Sequence, residues 1–378
     1  MLRQAILALA ALAALACAQV APVAASPLVE EETLLDVQID GRSYRLEALI
    51  VRRADAKGPL PIALITHGKS FAAEDNARKS ARDVIGQMND FAHRGWLAVS
   101  VMRRGFGQSQ GPETRSGGCG HQNFRDYFTY NADDLMAALE VVTRRPDADP
   151  TRVLAVGVSA GGGTVVALAA RKPKGLVGVV NVSGGLHLRQ RNGETCEFAE
   201  SLTEAFAFFG RQSRVPSLWL YAENDKLFDS ALVYRMHAAY KASGGAAELR
   251  IFPPLGDDGH TLWGKFDGRR QWLPELDAFL VANKLPTWDR AALEAKMRTV
   301  LNVDSSRAAI ETYLAAPAPK ALAMARTSRK VSWWAGGKDL ATMRQKSVAA
   351  CEQKNSEPCI VVLENFDVVP EGAQGGNP

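Results

Sequence analysis

The stretch VLAVGVSAGGGTVVALAA, Val153 to Ala170, begins as a β-branched, apolar run and continues as a helix. At the junction sits Gly157-Val158-Ser159-Ala160-Gly161. A serine flanked this way by glycines fits one special turn. Its backbone is strained, and only tiny neighbours let strand and helix come so close. The turn lifts the serine Oγ above the sheet and aims the first helical N–H groups at an arriving oxyanion. The competing reading is a serine N-cap in a glycine-rich loop. The rest of the chain decides between them.

Outward from this stretch, apolar strand-like runs alternate with helical patterns. The runs are IALIT at 62–66, WLAVSV at 96–101, VLAVGV at 153–158, LVGVVNV at 176–182, SLWLY at 217–221 and ELRIF at 248–252. Helices are expected near 76–94, 131–144, 160–171, 230–243 and 270–283. Near-continuous apolar strands separated by amphipathic helices predict an α/β fold: a doubly wound, mostly parallel sheet covered on both faces. LLDVQIDGRSYRLEALIVRR alternates apolar and polar residues around Asp40-Gly41 and reads as an edge hairpin. The catalytic domain is expected over 30–285, with residues 183–216, too long for a simple connection, as a small lid. Beyond LPTWD at 285–289 the composition shifts. A polar helix near 290–314, an Ala/Pro-rich linker LAAPAPKALA and a small α+β module are expected within 290–370, before a disordered tail over 371–378.

The chain has 378 residues, 47% of them hydrophobic, enough for one large domain and a small second one. Its formal charge of +4 is spread along the chain, so there is no footprint for nucleic acid. Residues 1–25 carry an early cation, Arg3, an Ala/Leu stretch and small residues before Gln19 and Ser26, the pattern of a secretory signal. Leu15-Ala16-Cys17 also matches a weak lipoprotein box, so membrane association is expected only with lipid on Cys17. The expected location is therefore periplasmic or secreted. Four cysteines then remain, and an even number in an oxidising compartment favours disulfides. Cys351 pairs with its neighbour Cys359, which leaves Cys119 for Cys196. The cysteines lack tight Cys/His spacing, so no metal site is expected.

An exposed serine needs a general base, and the base needs an orienting acid. In such sheets, ligands sit at the carboxyl ends of the strands. After SLWLY comes Ala222-Glu223-Asn224-Asp225, and after ELRIF comes PPLGDDGHTLW with His260. Ser159 as nucleophile, Asp225 as acid and His260 as base thus each follow a strand. Asp257 and Asp258 are the alternative acids, although they share the His260 loop. IALITHGKS ends another strand with His67-Gly68-Lys69 at the same rim. The backbone N–H groups of Lys69 and Ala160 are the candidate oxyanion donors, and His67 is read as ordering its loop. His93 reads as a surface or packing residue. His121 and His187 occupy rim loops. Arg103 and Arg104 either tie loops together or hold a substrate carboxylate. In the expected lid, Phe198, Phe206, Phe208 and Phe209 either wall an acyl pocket or dock the lid.

With these residues in place the chain resembles an α/β-hydrolase of the dienelactone-hydrolase and prolyl-oligopeptidase-like branch. The resemblance runs from about 35 to 284: the HG loop, RRGFGQSQG at 103–111, GVSAGG at 157–162, YAENDKLF at 221–228 and GDDGH at 256–260. It implies the same three roles for Ser159, Asp225 and His260. Dienelactone hydrolases proper carry a cysteine where this elbow has serine. Prolyl oligopeptidases carry a propeller for which this chain has no room. The expected activity is hydrolysis of an ester or related acyl bond, without metal or organic cofactor, on a small-molecule ester or a short peptide. A serine exopeptidase is the alternative, with Glu194, Glu197, Glu200 and Glu204 as receptors for a peptide amino terminus. A non-catalytic binding protein on a hydrolase scaffold is the remaining reading.

Overall fold

The computed structural model describes residues 28–188, 195–337 and 339–369. The expected leader with Cys17, the tail over 371–378 and Glu194 lie outside the described residues.

Two long strands, β1 (Leu28–Ile39) and β2 (Arg42–Arg53), form the expected hairpin, turning at Asp40 and Gly41 with φ of 49° and 73°. Both residues sit in the left-handed region that such a two-residue turn requires. The chain continues through β3 (Leu60–Thr66), the short α1 (Ala73–Ala77), α2 (Ile85–His93) and β4 (Leu97–Val101). A small ribbon, β5 (Gly117–Gly118) with β6 (His121–Gln122), precedes α3 (Phe124–Val142). Then come β7 (Ala148–Val158), α4 (Ala160–Ala170), β8 (Leu176–Val182), α5 (Ala199–Gln212), β9 (Ser217–Ala222), α6 (Ser230–Ala242), β10 (Ala247–Phe252) and α7 (Phe266–Ala282).

The main sheet runs in the order β1-β2-β4-β3-β7-β8-β9-β10. Pairing is antiparallel at β1/β2 and β2/β4 and parallel from β4 to β10. Side-chain alternation divides its core between two faces. On β7, Val153 and Ala155 face α3 and α4, whereas Leu154 and Val156 face α2 and α7. The inner strands β3, β4 and β9 are buried on both sides, so their runs are nearly continuous in hydrophobicity, whereas the edge strands β1 and β10 are partly exposed. This is the doubly wound, mostly parallel α/β architecture.

The segment expected as a lid contributes a sheet-covering helix. Helix α5 packs on α3, α4 and α6, with Phe206 fully buried against Phe128 and Trp219, and Phe209 against Phe128. Its aromatic residues dock it by burying apolar area. Phe198, just before α5, instead reaches Phe228 at the rim.

Helices α8 (Arg290–Arg298) and α9 (Arg307–Ala315) replace the single polar helix expected near 290–314. The expected linker is a finding of the opposite kind. Lys320–Ala325 is a strand, β11, wholly buried and paired on both sides, within a four-stranded antiparallel sheet ordered β12-β11-β13-β14. The other members are β12 (Val331–Ala335), β13 (Cys359–Glu364) and β14 (Asp367–Val368), with α10 (Leu340–Asn355) between β12 and β13. Leu322 and Met324 pack toward Met297, Ile310 and Tyr313, while Ala323 and Ala325 pack toward Cys351. Only alanine-sized side chains let α10 lie so close. Cys351 and Cys359 are disulfide-bonded, with Cα atoms 6.1 Å apart, and Cys119 and Cys196 likewise at 5.4 Å.

The C-terminal segment meets the main domain through a buried hydrogen bond to the end of α9, with main-domain ion pairs beside it. Arg269 donates to the Ala315 carbonyl at 3.0 Å and pairs with Asp90 at 2.7 Å. Arg94 pairs with Asp277 at 2.7 Å. No helix among the described residues is long and apolar enough to cross a membrane.

Replacing Phe206 by alanine is expected to lower unfolding stability by about 3–5 kcal/mol, the usual cost of emptying a buried aromatic site. Urea unfolding reads this directly. A loss below about 1 kcal/mol would mean that α5 is detachable rather than part of the core.

Candidate active site

Ser159 takes φ 55° and ψ −124° between β7 and α4. For a residue other than glycine this is a costly backbone, of order 1–3 kcal/mol, and it persists only when its surroundings fix it. The surroundings here are specific. The Ser159 N–H donates to the Val182 carbonyl at 2.9 Å, and the Ser159 carbonyl accepts from Gly185 at 3.1 Å and Gly162 at 2.8 Å. A Cβ on Gly157 would lie 2.1 Å from the Gly161 carbonyl oxygen, and one on Gly161 would lie 2.5 Å from that of His67. Both glycines are therefore demanded by backbone proximity, not by turn propensity alone. Ser159 makes no side-chain cap, so the N-cap reading does not describe it.

The Ser159 hydroxyl meets His260 across the sheet edge, Oγ to Nε2 at 3.0 Å. His260 Nδ1 lies 3.1 and 3.0 Å from the two carboxylate oxygens of Asp225. The Asp225 side chain is fully buried, and its Oδ1 also accepts from the N–H groups of Leu227 at 2.9 Å and Phe228 at 3.1 Å. Such N–H donors fix the position of the carboxylate against the ring. The carboxylate in turn favours the tautomer with hydrogen on Nδ1, which leaves Nε2 as an acceptor for the serine proton. Of the alternative acids, Asp258 holds the backbone: its Oδ1 accepts from His260 N at 2.9 Å and Lys226 N at 3.1 Å. Asp257 is exposed.

The β3 exit loop closes over the elbow. A Cβ on Gly68 would lie 3.0 Å from Ser159 Cβ and 3.5 Å from Oγ, so this backbone abuts the hydroxyl and sets Lys69 beside it. At the elbow itself, Ala160 opens helix α4, where N–H groups have no intrahelical acceptor. Asn76 pins the loop through Ser70, accepting from its N–H at 2.8 Å and donating to its carbonyl at 3.2 Å. The Lys69 ammonium pairs with Glu113.

His67 is buried. Its Nδ1 hydrogen goes to the Gly68 carbonyl at 2.7 Å, and its Nε2 accepts from Arg103 N at 3.2 Å. Burial, with the Arg103 charge adding to it, holds its pKa well below the ordinary histidine value, so the ring stays neutral and orders the loop. Arg103 reaches Asn131 at 2.9 Å, Thr66 at 2.6 Å and the His67 carbonyl at 2.7 Å; Arg104 pairs with Asp134. Both arginines tie loops together. His93 packs on Phe366, remote from the rim, and burial lowers its pKa to about 4. His121 is exposed on β6. His187 lies edge-on to Phe71 and Phe198. Glu197, Glu200 and Glu204 are solvent-exposed around α5.

Three residues at the rim carried no earlier assignment. Phe228 sits with its ring 5.6 Å from that of His260, and Phe71 is 53% exposed. Asn224 accepts from Leu255 N at 2.8 Å and from Gly259 N, through its carbonyl, at 3.1 Å, which anchors the His260 loop. Its place beside Asp225 in YAENDKLF was the available signal.

A family model described as X-Pro dipeptidyl-peptidase (S15 family) matches residues 40–246, a span that holds Ser159 and Asp225 and ends before His260. A curated relative, NocK of Nocardia uniformis subsp. tsuyamanensis, named for esterase activity, is 30% identical over 169 residues, or 44% of this chain and 45% of that protein. The alignment thus spans less than half of that relative. Among solved structures, an esterase from Pyrococcus furiosus, Pf2001, aligns at TM-score 0.47 and 14% identity over 67% of this chain and 92% of its own. A Klebsiella pneumoniae protein described as a dienelactone hydrolase aligns at 0.46 and 19% identity over 68% and 99%. With the family model covering more than half of its residues, the chain belongs to the X-Pro dipeptidyl-peptidase (S15) family.

Proposed function

We propose that this protein is an exported serine hydrolase that cleaves an ester or related acyl bond through an acyl-enzyme. The observation that carries the reading is the Ser159 Oγ to His260 Nε2 distance of 3.0 Å, with Asp225 on the far ring nitrogen at 3.0 Å. His260 removes the serine proton as Oγ attacks the carbonyl carbon. Asp225 fixes the tautomer and stabilises the imidazolium. The N–H groups of Ala160 and Lys69 receive the oxyanion, each such donor being worth about 3 kcal/mol of barrier. His260 then returns the proton to the leaving alcohol, and water, deprotonated by the same ring, releases the acid from Ser159. Phe228 lies against His260, Phe198 against Phe228 and His187, and Phe71 against His187, and aromatic side chains there favour an acyl or aromatic group. Export rests on the leader-like residues 1–25 and is supported by the two disulfides.

The second reading is a peptidase, which the S15 family match favours. The described glutamates of α5 offer it no receptor for an amino terminus, because they face solvent.

Ser159→Ala is expected to lower kcat on a p-nitrophenyl ester by at least about 10⁴-fold, and Asp225→Asn by about 10³–10⁴-fold, with KM changed little. Steady-state kinetics on the folded variants checks this. A variant that keeps a tenth of the activity would remove its residue from the proposed role.

The ester reading also expects kcat/KM on p-nitrophenyl acetate or butyrate to exceed that on an Xaa-Pro p-nitroanilide by at least about 100-fold. The reverse order would make the protein an exopeptidase.

A further inference from the structure

Strand β10 ends the main sheet, and among the described residues its sheet neighbour is β9 alone. The Ala246 and Phe252 carbonyls accept from Ser217 N at 3.0 Å and Glu223 N at 2.9 Å, on the β9 side. Peptide groups alternate sides along a strand, so those of Ala247, Leu249 and Ile251 turn to the open edge. Side chains meet two of the carbonyls there. His237 Nε2 lies 3.0 Å from that of Ala247, and Arg250 donates to that of Leu249 at 3.2 Å. The strand, AELRIF, holds no proline or lysine, and its register with β9 is unbroken, so it lacks the usual guards of an edge.

The opposite edge is guarded. Strand β1 opens with Glu30, Glu31 and Glu32, held by Arg82 and Arg145, so a second strand with the same row would meet like charge. On β10 the charges differ in sign and flank a single residue. Glu248 and Arg250 point to the α7 face, where Arg250 reaches Glu275 at 2.7 Å and Glu248 at 3.1 Å. Ala247, Leu249 and Ile251 form a half-buried apolar row on the α6 face. Beside that row α6 presents Tyr234, 59% exposed, across a depression of about 400 Å³.

We infer that β10 pairs antiparallel with β10 of a second copy of this chain, about a two-fold axis through Leu249, so that the main sheet continues across both copies. In this register Leu249 meets Leu249 of the second copy and Ala247 meets its Ile251, and each pair exchanges the outward N–H and C=O groups. The incoming N–H groups take over the carbonyls that His237 and Arg250 meet in the single chain. Glu248 then stands opposite Arg250 of the second copy, and Arg250 opposite its Glu248. The contact is self-complementary, as a two-fold interface requires. Moving the axis to Glu248 or to Arg250 would set like charges face to face, so the charges select the Leu249 register. On the other face the apolar row is covered by its own image, and the two α6 helices lie side by side with Tyr234 at their seam. This inference is independent of the reaction assigned to Ser159.

Sedimentation equilibrium of the full chain is expected to show a reversible dimer with Kd on the order of 10 μM, as befits a small interface. Glu248→Arg and Arg250→Glu each set like charges across the axis and are expected to weaken the dimer at least about tenfold. The double variant Glu248→Arg/Arg250→Glu restores opposite charges and is expected to return Kd to within about threefold of the parent. Both chains with Arg250→Glu place a glutamate beside Glu275, so the restoration reads the contact between copies and not that within one chain. Leu249→Cys is expected to cross-link to its own copy with a short bis-maleimide, whereas Val29→Cys, exposed on the far edge strand, is not. A monomer at every concentration up to about 300 μM would overturn the assignment. So would undiminished dimerisation of the folded single variants, a folded double variant that stays monomeric, or cross-linking at Val29 in place of Leu249. Should a charge variant fail to fold, the concentration dependence and the Leu249→Cys cross-link decide alone.

Discussion

The close approach of three backbones at Ser159 governs the rest of the molecule. The end of β7, the first turn of α4 and the exit loop of β3 meet where a single methyl group on Gly157 or Gly161 would strike a carbonyl at 2.1 or 2.5 Å. Ser159 adopts φ 55° there because hydrogen bonds from and to β8 and its exit loop leave it no alternative. Strain of a few kcal/mol at one residue is affordable only on a sheet buried on both faces. The long apolar strands thus serve the elbow as much as they serve stability.

Around that point the polar groups form a hierarchy of supports. Asp225 is buried and committed to His260 and to two backbone N–H groups, so its position is over-determined. Asp258 and Asn224 hold the backbone on either side of the histidine. His67 and Arg103, although rich in proton-transfer and anion-binding chemistry, spend their short contacts on ordering the β3 loop and tying it to α3. Residue type alone does not separate these roles. What separates them is which atom each group touches.

The strands and the Ser159, Asp225 and His260 positions were legible because they combine long-range order with local pattern: continuous apolar runs, each followed by a polar residue at the same sheet edge. Other features were hidden for identifiable reasons. LAAPAPKALA reads as a linker because alanine and proline are poor strand formers, yet its last four residues begin β11, where facing α10 needs small side chains. Lys320 on that strand is fully buried, its Nζ donating to the Leu314 and Ala316 carbonyls at 2.8 Å. Helix α5 looked like part of a lid because residues 183–216 are too long for a simple connection, and the docking of its aromatic residues has no signal in the sequence. Their partners, Phe128 and Trp219, arrive only through the fold. Phe228 closes the YAENDKLF stretch without any signal of its own and Phe71 lies in no motif; the fold sets Phe228 beside the His260 imidazole and Phe71 against His187.

The central claim is that the hydroxyl at 159 is activated by the imidazole at 260. Intact-mass and peptide spectrometry after brief exposure to a fluorophosphonate tests it most directly. The account predicts one adduct, on the peptide containing Ser159, formed at least about 100-fold more slowly in folded His260→Ala. An adduct on another residue, or labelling of Ser159 at an unchanged rate without the imidazole, would contradict it.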